Sequence, residues 1–314
     1  MKKKRNALIQ LAILTALGAA MVLSSILPRL PSSNAESEPL AVSVVVRDAD
    51  SSLWSNARLG MEQAAGELRA ELRFLTMSQA NDGEGQLQML RWESEQGADA
   101  LVVVPADPEG LAAALSAGEV GCPVVCMESE MWSAAPSVVP DNAALGRELA
   151  MAALEDWRGG PFLLMDGAPP GSGPAVRAEA ARQALLQAGV PVRLQTVGAE
   201  DSLRRLLEET DAAGVIVFEP AFTEQAAALK ESLGLSMPLY GVGATASIIA
   251  YLERGTVAAA AVWSDFAVGY LAVKTAVSKA QGQDMPAEEL PFFVVRGEEI
   301  YDAKYQKLLF PVTS

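Results

Sequence analysis

The sequence has no histidine among its 314 residues. That removes Ser-His-Asp and Cys-His catalysis and any imidazole metal site. Cysteine is scarce, and the two present, Cys122 and Cys126, flank Pro-Val-Val in a stretch that reads as a strand. Four extended residues span roughly 13 Å, whereas a disulfide needs Cα atoms within about 7 Å. While that strand exists the two are expected as free thiols, and they say nothing about redox compartment. Basic residues are few, 24 Lys and Arg against 39 Asp and Glu, for a net charge of −15. Every acid follows residue 35, so the rest of the chain carries 19 basic against 39 acidic residues, a net of −20. Such a body repels nucleic acid, and that partner is not expected.

Several motifs are missing too. The first strand is not followed by GxGxxG, which disfavours a dinucleotide fold. The loop Asp166 to Gly173 (DGAPPGSG) lacks GxxxxGK, and its two prolines remove backbone N–H groups that a phosphate cradle would use. Asp48, Asp50, Asp107 and Asp141 have no calcium-loop spacing, and N-capping and turn duty is their plainer role. No nucleophile–base pair is visible, so an enzyme is not expected, nor is any metal or cofactor.

What is there begins with an exported amino terminus. MKKKR precedes 21 uncharged residues, Ala7 to Leu27. A positive flank before an apolar run leaves the basic end in the cytoplasm and sends the rest outside. Small residues at Ser33-Asn34-Ala35 suit cleavage after Ala35, while the apolar run matches the about 20 residues of a membrane span. Residues 1–35 are therefore a signal peptide or a membrane anchor, with cleavage preferred. The lipoprotein route is closed because the segment has no cysteine. Residues 28–39, rich in proline and serine, read as a linker.

The body is half hydrophobic and one-fifth charged, as globular proteins are. It is organised around VSVVVRDADSSLWSNARLGMEQAAGEL, residues 42–68. This reads as a buried strand, a polar loop with Leu53 and Trp54 at its tip, and a helix with apolar residues at three- and four-residue steps. Ligands in open α/β sheets sit outside the carboxyl ends of strands. The loop is thus either a cleft wall or sheet-edge cover. Strand and helix then alternate to residue 157, and the alternation restarts at Pro161 and runs to a last strand at Phe292 to Arg296. The fold class is α/β, with two doubly wound parallel-sheet lobes and a cleft between them.

Six stretches in this order carry a family likeness: the first strand with its loop and RLGMEQAAGEL, then GADALVVVPADPEGLAAAL, PVVCMES, PDNAALGREL, VRAEAARQAL and AAAAVWSDFAVGYLAVKTAV. The chain resembles the type I periplasmic sugar-binding proteins over most of residues 40–297. The resemblance implies lobes joined by a multi-strand hinge, lobe 1 at 42–141 plus 264–284 and lobe 2 at 142–263 plus 285–314, after a linker at 36–41. It implies an extracytoplasmic protein that takes a carbohydrate-like molecule between its lobes and presents it to an ABC permease. A membrane-anchored sensor signalling to a histidine kinase is the alternative.

Position by position, the resemblance places Leu53 and Trp54 at an aromatic pair and Glu128 at a sugar-binding carboxylate. Asp141 falls at the first lobe crossing, Arg177 on the helix after DGAPPGSG, and Trp263 at another crossing. From the residues alone, Arg177 is a ligand contact or a partner of Glu179 or Asp166, and Trp263 is core or cleft. The chain departs from the family at Val104, Ser129, Pro220, Ala221 and Gly243, where hydroxyl-reading groups are missing. With Trp132, Phe222 and Glu219 as further candidates, the cleft is expected to have more apolar wall and to suit a ligand less hydroxylated than ribose.

Overall fold

The computed structural model describes residues 38–309 except 198, 199, 286, 287 and 289. The amino-terminal segment, residues 1–35, lies outside the described residues, and so does the start of the linker. Among the described residues no helix is long and apolar enough to cross a membrane.

The first sheet has the order β2-β1-β3-β4-β5, built from β1 (Leu40–Val46), β2 (Ala70–Thr76), β3 (Ala100–Val103), β4 (Val124–Met127) and β5 (Ser137–Val138). All its pairings are parallel. β3 and β4 are buried along their whole length, which is why they read as unbroken apolar runs. The connections are α1 (Ser55–Leu68), α2 (Gly83–Glu95) and α3 (Pro108–Ser116). Asp82 and Asp107 cap α2 and α3 through backbone N–H groups of Gly85 and Gly110, and Pro108 occupies the first turn of α3. Cys126 is buried in β4, Cys122 precedes it, and both are free thiols.

The second sheet has the order β11-β10-β9-β8-β6-β7. Its strands are β6 (Phe162–Asp166), β7 (Val192–Thr196), β8 (Gly214–Val217), β9 (Leu239–Val242), β10 (Ala259–Trp263) and β11 (Phe292–Arg296). Its helices are α4 (Asn142–Asp156), α5 (Gly173–Gln187), α6 (Glu200–Glu209), α7 (Pro220–Leu233) and α8 (Ala246–Glu253). A last helix, α10 (Ala303–Leu309), was not expected from the sequence.

The helix after β10, α9 (Asp265–Ala280), packs on α1 and the first sheet. The chain therefore crosses between sheets three times: from β5 to α4, from β10 to α9, and from α9 back to β11. One strand departs from the expected all-parallel lobes. β11 enters the second sheet where β10 leaves it, Phe292 opposite Trp263, so the pair is antiparallel. A parallel partner would need its crossover helix on the same sheet, and α9 lies on the other one.

Two close helix contacts fix the frame. α1 and α9 touch backbone to backbone, because a Cβ at Gly60 would strike the Phe266 carbonyl and one at Gly269 the Ala57 carbonyl. α4 and α5 meet the same way, with Gly146 against the Arg177 carbonyl. The latter contact holds Arg177 beside the crossing.

Candidate functional site

The site lies where the carboxyl ends of the two sheets meet. Arg47 and Asp48 follow the end of β1. A short 3-10 turn, Ser51–Trp54, follows, and the Asp50 carboxylate caps it by accepting from the Ser52 N–H at 2.8 Å. The turn swings Trp54 back over the strand end, where its indole Nε1 donates to Asp48 Oδ2 at 2.8 Å.

Arg47 is the centre of the polar network, and it is only 3% exposed. Its Nε and Nη2 donate to the two Glu128 oxygens at 3.0 and 3.2 Å, and its Nη1 to Asn81 Oδ1 at 2.9 Å. Nη2 also donates to Glu219 Oε2 at 2.7 Å. Glu128 follows β4 in the first sheet; Glu219 follows β8 in the second. One guanidinium therefore ties the two sheets together. Burial by itself would lower the Arg47 pKa, but Glu128 and then Glu219 outweigh it and hold it above its ordinary value. Burial, with the like charges of Glu128 and Asp48, raises Glu219 above its ordinary value in spite of Arg47.

Arg177, on α5, is 1% exposed. Its Nε donates to Asn142 Oδ1 at 2.7 Å and its Nη1 to the Phe218 carbonyl at 3.1 Å. Its guanidinium lies over the Trp263 ring, 4.6 Å from the centroid, a cation–π contact. Burial lowers its pKa to about 10, with Glu128 and Glu219 opposing, so it stays charged at neutral pH. Neither alternative partner holds it, since Glu179 pairs with Arg182 at 2.7 Å and Asp166 Oδ1 accepts from the Ala168 N–H.

Further bonds cross between the sheets. Asn142 Nδ2 donates to the Glu128 carbonyl at 3.0 Å, and the Gly173 N–H to Ser129 Oγ at 3.1 Å. Glu128 adopts a left-handed backbone, φ 65°, which turns its carbonyl toward α5. A side chain at Gly173 would strike that carbonyl.

Inside this frame is a cavity of about 60 Å³. Asp48, Trp54, Glu128, Arg177, Glu219 and Arg47 line it on the polar side, with Pro220, Ala221, Trp263 and Asp265 among the rest. Among the described residues, two buried side-chain atoms lack a hydrogen-bond partner, Arg177 Nη2 and Glu219 Oε1. Both belong to residues of this cavity. Buried polar atoms are normally paired, so an unpaired donor and an unpaired acceptor on residues lining one cavity are what a polar guest there would satisfy.

Of the residues expected at the site, Trp54, Glu128, Arg177 and Trp263 line the cavity. Trp263 is both core and cleft: it is 8% exposed, packs in the central apolar cluster and still borders the cavity. Asp141 sits outside, exposed, capping α4 by accepting from the Ala144 N–H at 2.8 Å. Its neighbour Asn142 reaches the network instead. Leu53 has its backbone in the 3-10 turn; its side chain lies outside what is described. Trp132 is 69% exposed and does not line the cavity, and Phe222 packs in the outer core of the second sheet. Pro220 and Ala221 do form apolar wall.

Arg47 and Asp265 were missed. Arg47 was visible as a strand-end residue, the position the sheet rule favours, but it was read as part of a polar turn. Asp265 opens α9; from the sequence it falls in the turn before a helix at Phe266 and carries no role. Burial raises its pKa to about 6, with the Trp263 side chain and Arg177 opposing. No group of residues that could hold a metal ion occurs among the described residues.

Two sheets, three crossings and a cavity at the strand ends define a two-lobed α/β binding protein of the periplasmic type. The family model described as periplasmic binding protein domain matches residues 42–284, and the chain belongs to that family. Its fold is shared with the periplasmic component of an ABC-type sugar transport system from Hahella chejuensis, at 21% identity and TM-score 0.73, over 82% of this chain and 99% of that one. An ABC transporter solute-binding protein from Agrobacterium vitis with bound D-fucose matches at 18% identity and TM-score 0.76, over 86% and 100%. One from Bacillus halodurans C-125 with bound myo-inositol matches at 20% identity and TM-score 0.72, over 86% and 100%. No curated protein sequence matches the chain.

Proposed function

We propose that this protein captures a small carbohydrate-like molecule between its lobes, outside the cytoplasm, and presents it to an ABC permease. The observation that carries the reading is a pair of buried, unpaired atoms, Arg177 Nη2 and Glu219 Oε1, on residues that line a cavity bordered by Trp54 and Trp263. A hydroxyl can satisfy either atom, since it both donates and accepts. Indole walls and the apolar Pro220 and Ala221 suit the hydrophobic faces of a ring. The family supports the permease as partner, and the D-fucose and myo-inositol of the structural relatives support the ligand class.

Lobe 1, residues 42–141 plus 264–284, and lobe 2, residues 142–263 plus 285–314, would close about the three crossings. A ligand favours the closed form only by contacts it makes in that form and not in the open one. Arg177 and Glu219 come from the second lobe and Trp54 from the first, so a molecule touching all three supplies such contacts. Residues 1–35 would direct export. The test is isothermal titration of the folded protein against pentoses, hexoses, deoxy-sugars and cyclitols. Saturable one-to-one binding of one or a few is expected; no binding across the panel refutes the reading.

A further inference from the structure

The charge inside the cavity is unbalanced. Asp48, Glu128, Glu219 and Asp265 line it against Arg47 and Arg177, four carboxylates facing two guanidiniums. Arg47 is committed to Glu128 and Glu219. Arg177 bonds two neutral acceptors, the Asn142 amide and the Phe218 carbonyl. Asp48 receives a neutral indole N–H. Burial raises Asp48, Glu219 and Asp265 above ordinary carboxylate values, the direction expected where desolvation is incompletely compensated.

The second observation is independent of the count. Arg177 is 1% exposed, with Nη2 unpaired, and Glu219 Oε1 is unpaired too; both residues line this cavity. A neutral polyol could satisfy both atoms but would leave the excess of negative charge where it is. A protonated amine satisfies Glu219 and also offsets the charge, and charge-assisted hydrogen bonds are the stronger kind. Trp54 and Trp263 border the same space, and indole is the best side-chain partner for a cation. The acidic body, net −20 after residue 35, draws cations toward the cleft.

We propose that the ligand is a small hydroxylated ring carrying one protonated amine, an amino sugar or aminocyclitol, with the amine against Glu219 and a hydroxyl oxygen on Arg177. This rests on the reading of the cleft as a carbohydrate site. Matched pairs separate the two: D-glucose and D-glucosamine, D-galactose and D-galactosamine, myo-inositol and 1-amino-1-deoxy-myo-inositol. Each is titrated into the full-length protein at pH 7, beside the neutral panel above. In a pair that binds, the amine should bind at least tenfold tighter than its neutral twin. Glu219→Gln should cut that ratio below about threefold, and Asp265→Asn serves if that variant does not fold. A ratio under tenfold, or a neutral panel sugar that outbinds every amine, overturns the amine and leaves the carbohydrate reading intact. No saturable binding by folded protein to any sugar or amine overturns both.

Discussion

Arg47→Ala is the most informative single change. It removes a guanidinium that bonds carboxylates following strands of both sheets, Glu128 at 3.0 Å and Glu219 at 2.7 Å. The side chains of the three are 4%, 8% and 12% exposed, so water cannot replace what is lost. Stranding buried charge by deleting one partner costs about 3–5 kcal/mol. In a body of this size each kcal/mol moves the melting temperature by about 2–4 °C, so the fall should be on the order of 10 °C. Thermal unfolding followed by circular dichroism reads it directly. Glu219→Gln in the same background completes a double-mutant cycle. With no charge left opposite Glu128, the double variant should recover part of the loss, and the two changes should fail to add by at least about 1 kcal/mol. An Arg47→Ala protein melting within about 1 °C of the parent, or an additive cycle, would refute the cross-cleft tie.

Asp265 gives a pH-dependent prediction. Its pKa rises from 3.8 to about 6 on burial, so the folded form holds this proton more tightly than the unfolded chain. The stability it lends is full below about pH 4 and is lost as pH rises through about 6; by pH 8 the charge costs about 3 kcal/mol. An acid in the first turn of α9 returns about 0.3–1 kcal/mol of that. Asp265→Asn should therefore melt above the parent at pH 8, with the gap closing by pH 4; a pH-independent gap contradicts the assignment. Gly173→Ala puts a methyl group against the Glu128 carbonyl across the lobes. It should weaken ligand binding at least tenfold, and equal affinity in titration would show that the contact does not matter for closure. Trp54→Ala should weaken binding about tenfold or more with folding retained, and unchanged affinity would return this loop to sheet-edge cover.

Most of the fold was legible because the hydrophobic runs were. Val42–Val46, Ala100–Val103 and Gly214–Val217 are buried on both faces of their sheets, and only such strands read as continuous apolar segments. α1 was expected at Ser55–Leu68 and lies there. The direction of β11 was not legible, since it depends on which sheet α9 covers and no local pattern encodes that. The site was half legible. Trp54, Glu128, Arg177 and Trp263 end or follow strands or sit on helices whose order the family sets, and they line the cavity. Arg47 was hidden because its role comes from two carboxylates 81 and 172 residues away. Asp141 and Asn142 are adjacent, and the sequence does not say which caps the helix and which turns inward. The capping geometry at α4 decides that.

The central claim is that a ligand sits between the lobes on Arg177 and Glu219. A crystal structure of the protein grown with the tightest binder from the titrations tests it most directly. Ligand density is expected within hydrogen-bond distance of Arg177 Nη2 and Glu219 Oε1, bordered by Trp54. Ligand bound elsewhere on the protein, with those two atoms facing only water, would contradict it.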